Sequence, residues 1–188
     1  MPGIYPMAII TLIVCAGLWG GLLYVMSGRQ SRYLWLILPG LPLSALVNLL
    51  VKRPLLVGVG RAAGIPAGLG IDTPLWFLAF GWLLAPFTEE AIKLLPLLAP
   101  RLRSLAAGRL PALWAGMALG LGFGLGEVVY LAYNVARSPA YAGIPWYMFT
   151  GFLGERLIVC FLHAGMTAIA VHGLGEGLKT GIIGYLWA

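Results

Sequence analysis

The chain has 188 residues, of which 61% are hydrophobic and only 10% charged, and its mean hydropathy is +0.94. Soluble domains carry about a quarter charged residues, so a water-soluble globule is excluded, and so are a disordered chain and a disulfide-stapled one. The net charge is +6, from 12 Lys+Arg against 6 Asp+Glu. The basic residues fall in short clusters between apolar runs, as in loops at a membrane surface, which argues against a nucleic-acid partner.

A bilayer core of about 30 Å takes about 20 apolar residues per helix. The predicted fold is an all-α, polytopic transmembrane helix bundle of five to six spans with a broken third helix. Residues 1–188 read as a single membrane domain, with the site-bearing core at about 75–171. The first apolar run, roughly Tyr5 to Met26, is too long for a signal-peptide core and lacks a basic leader, so it reads as a retained helix. A second helix runs from about Tyr33 to Val51 and is kinked by Pro39 and Pro42. The stretch from Leu55 to Thr73, rich in Gly and Pro, reads as a loop or partly re-entrant segment.

The third helix starts near Pro74, reaches about Ala99 and is interrupted at Pro86, which removes one backbone hydrogen bond. Arg101, Arg103 and Arg109 mark a basic loop. The fourth helix covers about Pro111 to Val135, and a connection follows in which Tyr141, Trp146 and Tyr147 resemble an interfacial aromatic belt. A fifth helix runs from about Phe149 to Val171. The Gly-rich end, Gly173 to Ala188, is a short sixth helix or an interfacial tail. Cys15 and Cys160 lie inside apolar runs and read as small buried hydrophobes.

The functional signal lies in polar residues placed where lipid should be. Glu89, Glu90, Lys93, Glu127, Arg156 and His163 sit inside apolar runs, with Glu155 nearer a helix end. Each such charge costs roughly 2.5–3.5 kcal/mol at the bilayer centre unless it is paired, wet or chemically employed. Lys93 stands three residues from Glu90 and four from Glu89, within reach of either on one helix face. The bland reading is an ordinary helix-start ion pair, with Thr88 as the cap. The functional one is that Lys93 neutralises one carboxylate and leaves the other free as a base.

Gly116, Gly120 and Gly124 form a small-residue stripe for close helix contact, leading to a face that carries Phe123, Glu127, Tyr130 and Asn134. Arg156, His163 and Thr167 share a face of the fifth helix. Two carboxylates and an imidazole from three helices are the makings of a water-activating site. Glu90, Glu127 and His163 can hold a divalent metal, Zn2+ being the expected ion, with an open position for water. The same groups can work without metal, a Glu acting as general base. Spacing leaves both open. No Gly-rich phosphate loop is present, so no nucleotide cofactor is expected.

The motifs Glu89-Glu90-Ala91-Ile92-Lys93, Phe123-Gly124-Leu125-Gly126-Glu127 and His163 resemble, in order and spacing, those of the CAAX-prenyl-protease-like and PrsW/YhfC-like intramembrane protease superfamily. Gly120-Leu121-Gly122-Phe123-Gly124 and the Glu155-Arg156…His163 pairing look most like the PrsW and YhfC branches. Members often carry Asn or Asp four residues after the His, where this chain has Thr167. The resemblance implies an intramembrane endopeptidase, metallo- or glutamate-type. Glu89, Glu90, Glu127 and His163 would be catalytic, and Lys93, Arg156, Thr167, Tyr130 and Asn134 supporting. It further implies a multi-pass protein of a prokaryotic cytoplasmic membrane. The partners expected are membrane lipids and a membrane peptide or protein substrate, and a homo-oligomer is compatible with the chain. The alternatives are a non-catalytic scaffold or chaperone of the same fold and a small proton-coupled transporter, in which the same acids carry protons.

Overall fold

A computed structural model describes residues 3–65, 72–176 and 178–187. The architecture is all-α, and five helices are long and apolar enough to cross a membrane. We label them α1 (Ile4–Met26), α2 (Ser31–Ala62), α3 (Leu75–Leu98), α4 (Arg109–Arg137) and α5 (Trp146–Leu174). A sixth, α6 (Leu178–Trp187), is about 15 Å long at 1.5 Å per residue, too short to span.

α4 is the centre of the bundle. In its most apolar stretch 72% of residues are buried, against 17% in α3. Glycine makes this possible. A Cβ on Gly116 would stand 2.6 Å from the Ala168 Cα and the Thr167 carbonyl oxygen, and one on Gly120 would fall on the His163 carbonyl oxygen. The same stripe meets Cys160 at Gly124, so α4 and α5 run antiparallel at near-backbone contact. Gly122 and Gly126 face the other way, against Ile37 and Leu41 of α2, and Gly40 answers from α2. α1 closes the core with Ile4, Ala8 and Cys15 against Leu121, Leu125, Val128 and Cys160. Both cysteines are free and fully buried.

The outer faces carry exposed Ile13, Val25, Trp35, Leu50, Leu75 and Trp82, while charged Glu90, Lys93 and Arg156 are buried. That inverts a soluble protein and suits a lipid solvent. Tyr141, Trp146 and Tyr147 are exposed together at the α4–α5 connection, as a belt residue at the membrane surface would be.

Three boundaries differ from the sequence reading. α2 does not stop at Lys52; a wide turn over Asn48–Lys52 passes into helix over Arg53–Ala62, so Leu55 to Ala62 is helix rather than loop. Pro54 is tolerated because it sits in the first turn after that irregularity, where its missing N–H costs little. Residues 66–71 of the expected loop lie outside the described residues. The interruption of α3 falls at Leu94, with Pro96 in the tighter turn Leu95–Leu98, while Leu75–Lys93 continues through Pro86. Thr88 does not cap there. Its hydroxyl donates to the Leu84 and Ala85 carbonyl oxygens. The basic loop contains a short helix, Pro100–Leu105. In α2 the helical ladder is broken at Leu41 and Pro42, where the Leu41 N–H turns to the Leu38 carbonyl. The chain's end forms α6, packed back on α5 with Gly184 against the Ile169 carbonyl.

Candidate functional site

Polar side chains from α3, α4 and α5 meet in one hydrogen-bonded chain inside the bundle. Lys93 Nζ donates to Glu90 Oε1 at 2.5 Å and lies 2.9 Å from His163 Nδ1. An ammonium has no acceptor site, so His163 Nδ1 accepts and the ring proton is on Nε2. That Nε2 is 3.3 Å from Glu127 Oε2. Arg156 Nη1 donates to the same Glu127 oxygen at 2.6 Å, and Arg156 Nη2 to Glu155 Oε1 at 2.6 Å. Thr167 closes the far end, its hydroxyl donating to Glu90 Oε2 at 2.9 Å.

Each side chain is placed by helix packing. Glu90 and Lys93 are neighbours on one face of α3 and are fully buried. His163 and Thr167 lie one turn apart on the α5 face that the α4 glycines approach, so close contact at Gly120 brings both against α4. Phe123 lies under the junction, its ring 4.4 Å from Lys93 Nζ and edge-on to His163 at 4.9 Å. A desolvated cation over an aromatic face gains about 2 kcal/mol, which helps to hold Lys93 at full burial.

Glu89 does not share Lys93. It pairs with Lys52 of α2, Oε1 to Nζ at 2.7 Å. Neither carboxylate of the pair is therefore left without a cation: Lys93 holds Glu90 and Lys52 holds Glu89. Lys52, one residue past the expected end of the second helix at Val51, is the residue that sequence reasoning missed. The signal was present, since Leu55-Leu56-Val57 continues the apolar run beyond it. Tyr130 and Asn134 are not brought into the chain of hydrogen bonds. Asn134 Nδ2 donates to the Tyr130 carbonyl, and both side chains line a separate groove between α2 and α4.

Access differs among the acids. Glu90 keeps 1% of its side-chain surface, Glu89 11% and Glu127 16%. Both Glu90 oxygens are occupied, by Lys93 and Thr167. Glu127 spends only Oε2, on Arg156 and His163, so Oε1 has no protein partner among the described residues. Arg156 Nε is buried and also without one. The linked and adjacent charges are Lys52, Lys93 and Arg156 against Glu89, Glu90, Glu127 and Glu155.

The arrangement does not fit a zinc centre built on Glu90, Glu127 and His163. The Lys93 ammonium stands between Glu90 and His163, taking one oxygen of the first and the Nδ1 lone pair of the second. His163 Nε2 carries a proton towards Glu127 and has no lone pair to offer. Among the described residues no three His, Cys, Asp or Glu side chains converge as a metal cage requires. Comparison with family models, with curated proteins and with solved structures gives no match.

Proposed function

We propose that this chain is an intramembrane endopeptidase that hydrolyses a peptide bond of a membrane or membrane-interface substrate with a glutamate-activated water. One observation carries the reading. Glu127, a carboxylate with 16% of its side-chain surface exposed and one oxygen without a protein partner among the described residues, lies in the same network as an imidazole, an arginine and an ammonium. Such groups are expensive in lipid and collect where chemistry or transport needs them.

In this reading Glu127 Oε1 takes a proton from water as the water oxygen bonds to the scissile carbonyl carbon. The negative charge thereby passes from Glu127 to the substrate's carbonyl oxygen. The carbonyl oxygen becomes an oxyanion, and the positive charge of Arg156, held beside Glu127 through Nη1, stabilises it. Collapse breaks the C–N bond, and Glu127 returns its proton to the leaving amine. His163 acts on Glu127 as an orienting donor and is itself fixed in tautomer by Lys93. Glu90 and Thr167 hold Lys93 and the α3–α5 contact. The protein works as a multi-pass membrane enzyme of a prokaryotic cytoplasmic membrane, with membrane peptides as substrates.

The test is cleavage of membrane-peptide libraries by the purified chain in liposomes. Wild type is expected to release new termini, Glu127→Gln to release none, and His163→Ala to lose at least about a hundredfold, all three remaining folded. Proton flux across the liposome without cleavage would replace the hydrolase with the transporter reading.

A further inference from the structure

A groove of about 1010 Å³ lies between α2 and α4, apart from the polar network. The two helices touch at Gly40 and Gly122 and at Leu41 and Gly126, and α2 stays packed on Phe123 through Leu43 and Val47. Beside that contact Leu38, Leu41, Ala45 and Leu49 form one wall of the groove, and Gly126, Val129 and Tyr133 the other. From Gly126 to Arg137 the groove follows α4 for about 16 Å at 1.5 Å per residue, so it runs from beside Glu127 to the end of the span.

That end is basic. Arg53 and Arg137 both line the groove, no acidic residue does, and neither arginine has a carboxylate partner among the described residues. Arg137 donates to the Tyr133 hydroxyl and lies 5.2 Å from that ring, so its guanidinium is steered over the groove mouth. Arg137 also precedes the connection bearing exposed Tyr141, Trp146 and Tyr147, which sets this end at headgroup level. An apolar channel of acyl-chain length closed by two unpaired guanidinium groups at that depth is complementary to an anionic amphiphile. Basic pockets between spans bind acidic headgroups, and guanidinium matches phosphate in two-point geometry.

We propose that the α2–α4 groove is a binding site for an acidic phospholipid, its phosphate on Arg53 and Arg137 and one acyl chain along Ala45 and Val129. The site stands independently of the hydrolytic reading. Native mass spectrometry of the full chain, offered phosphatidylglycerol and phosphatidylcholine of identical chains, reads it directly. Wild type is expected to retain phosphatidylglycerol about thirtyfold better. Arg53→Gln/Arg137→Gln abolishes the preference, Ala45→Trp displaces both lipids, and Arg101→Gln/Arg103→Gln changes neither. Equal retention by wild type would overturn the proposal, as would an equal loss in the Arg101/Arg103 variant, which marks diffuse surface charge. Retention of a peptide with a free C-terminal carboxylate in place of the lipid would overturn it in favour of a peptide groove.

Discussion

Replacing Lys93 with methionine removes the ammonium at the centre of the network while nearly preserving the volume of the stem. The side chain is completely buried, and its Nζ serves Glu90, His163 and the Phe123 ring. In Lys93→Met, Glu90 keeps only the Thr167 hydroxyl, at 1% exposure and with no cation. Breaking one side of a buried ion pair costs about 3–5 kcal/mol, because the remaining charge stays desolvated. Glu90→Gln alone strands Lys93 between an amide and an imidazole and costs a similar amount. The double variant Glu90→Gln/Lys93→Met leaves no uncompensated charge and is expected to cost less than either single change. Reversible unfolding in mixed micelles, followed by tryptophan fluorescence, gives all three values. Single changes that cost under about 1 kcal/mol, the range of exposed pairs, or a double variant equal to the sum of the singles, would refute the burial argument.

Gly120→Ala is expected to destabilise the bundle by about 1–3 kcal/mol or more, since its methyl falls on the His163 carbonyl. Gly165→Ala on α5 meets nothing within 4 Å and is expected to be neutral or up to about 1 kcal/mol stabilising; the same micelle unfolding separates the two. Chelation followed by zinc addition is expected to leave both cleavage and thermal stability unchanged, because Lys93 occupies the donors that zinc would need. A stability gain on adding zinc to the chelated protein would contradict this. Lys52→Met is expected to lower stability by removing the cation from Glu89, and Glu89→Gln in the same chain restores most of the loss, read by the same unfolding curves.

Much of the fold was legible because the membrane imposes a simple rule. Long apolar runs must become helices, and the runs around Tyr5, Tyr33, Pro74, Pro111 and Phe149 did. The glycine stripe of α4 could be read as a contact face from its spacing. What composition could not convey was that the stripe has two sides, with Gly116, Gly120 and Gly124 against α5 and Gly122 and Gly126 against α2. Prolines misled in both directions. Pro86 was assigned the break in α3, yet the α3 helix absorbs it, and the second helix, expected to end at about Val51, runs on through Pro54.

The polar residues were conspicuous, since charge within an apolar run has few innocent explanations, but their pairings depend on which helices become neighbours. Lys93 lay within reach of Glu89 and Glu90 alike by spacing. The approach of α2 decides the matter, because Lys52 takes Glu89. Tyr130 and Asn134 share the helical face of Glu127 by periodicity. A groove between α2 and α4 lies there instead, and the two residues line it.

The most direct test of the glutamate mechanism is oxygen-18 labelling. Wild type in liposomes with labelled water is expected to place one heavy oxygen in the new carboxyl terminus of a cleaved membrane peptide, and folded Glu127→Gln to yield no labelled product. Labelled product from Glu127→Gln at the wild-type rate would contradict the account.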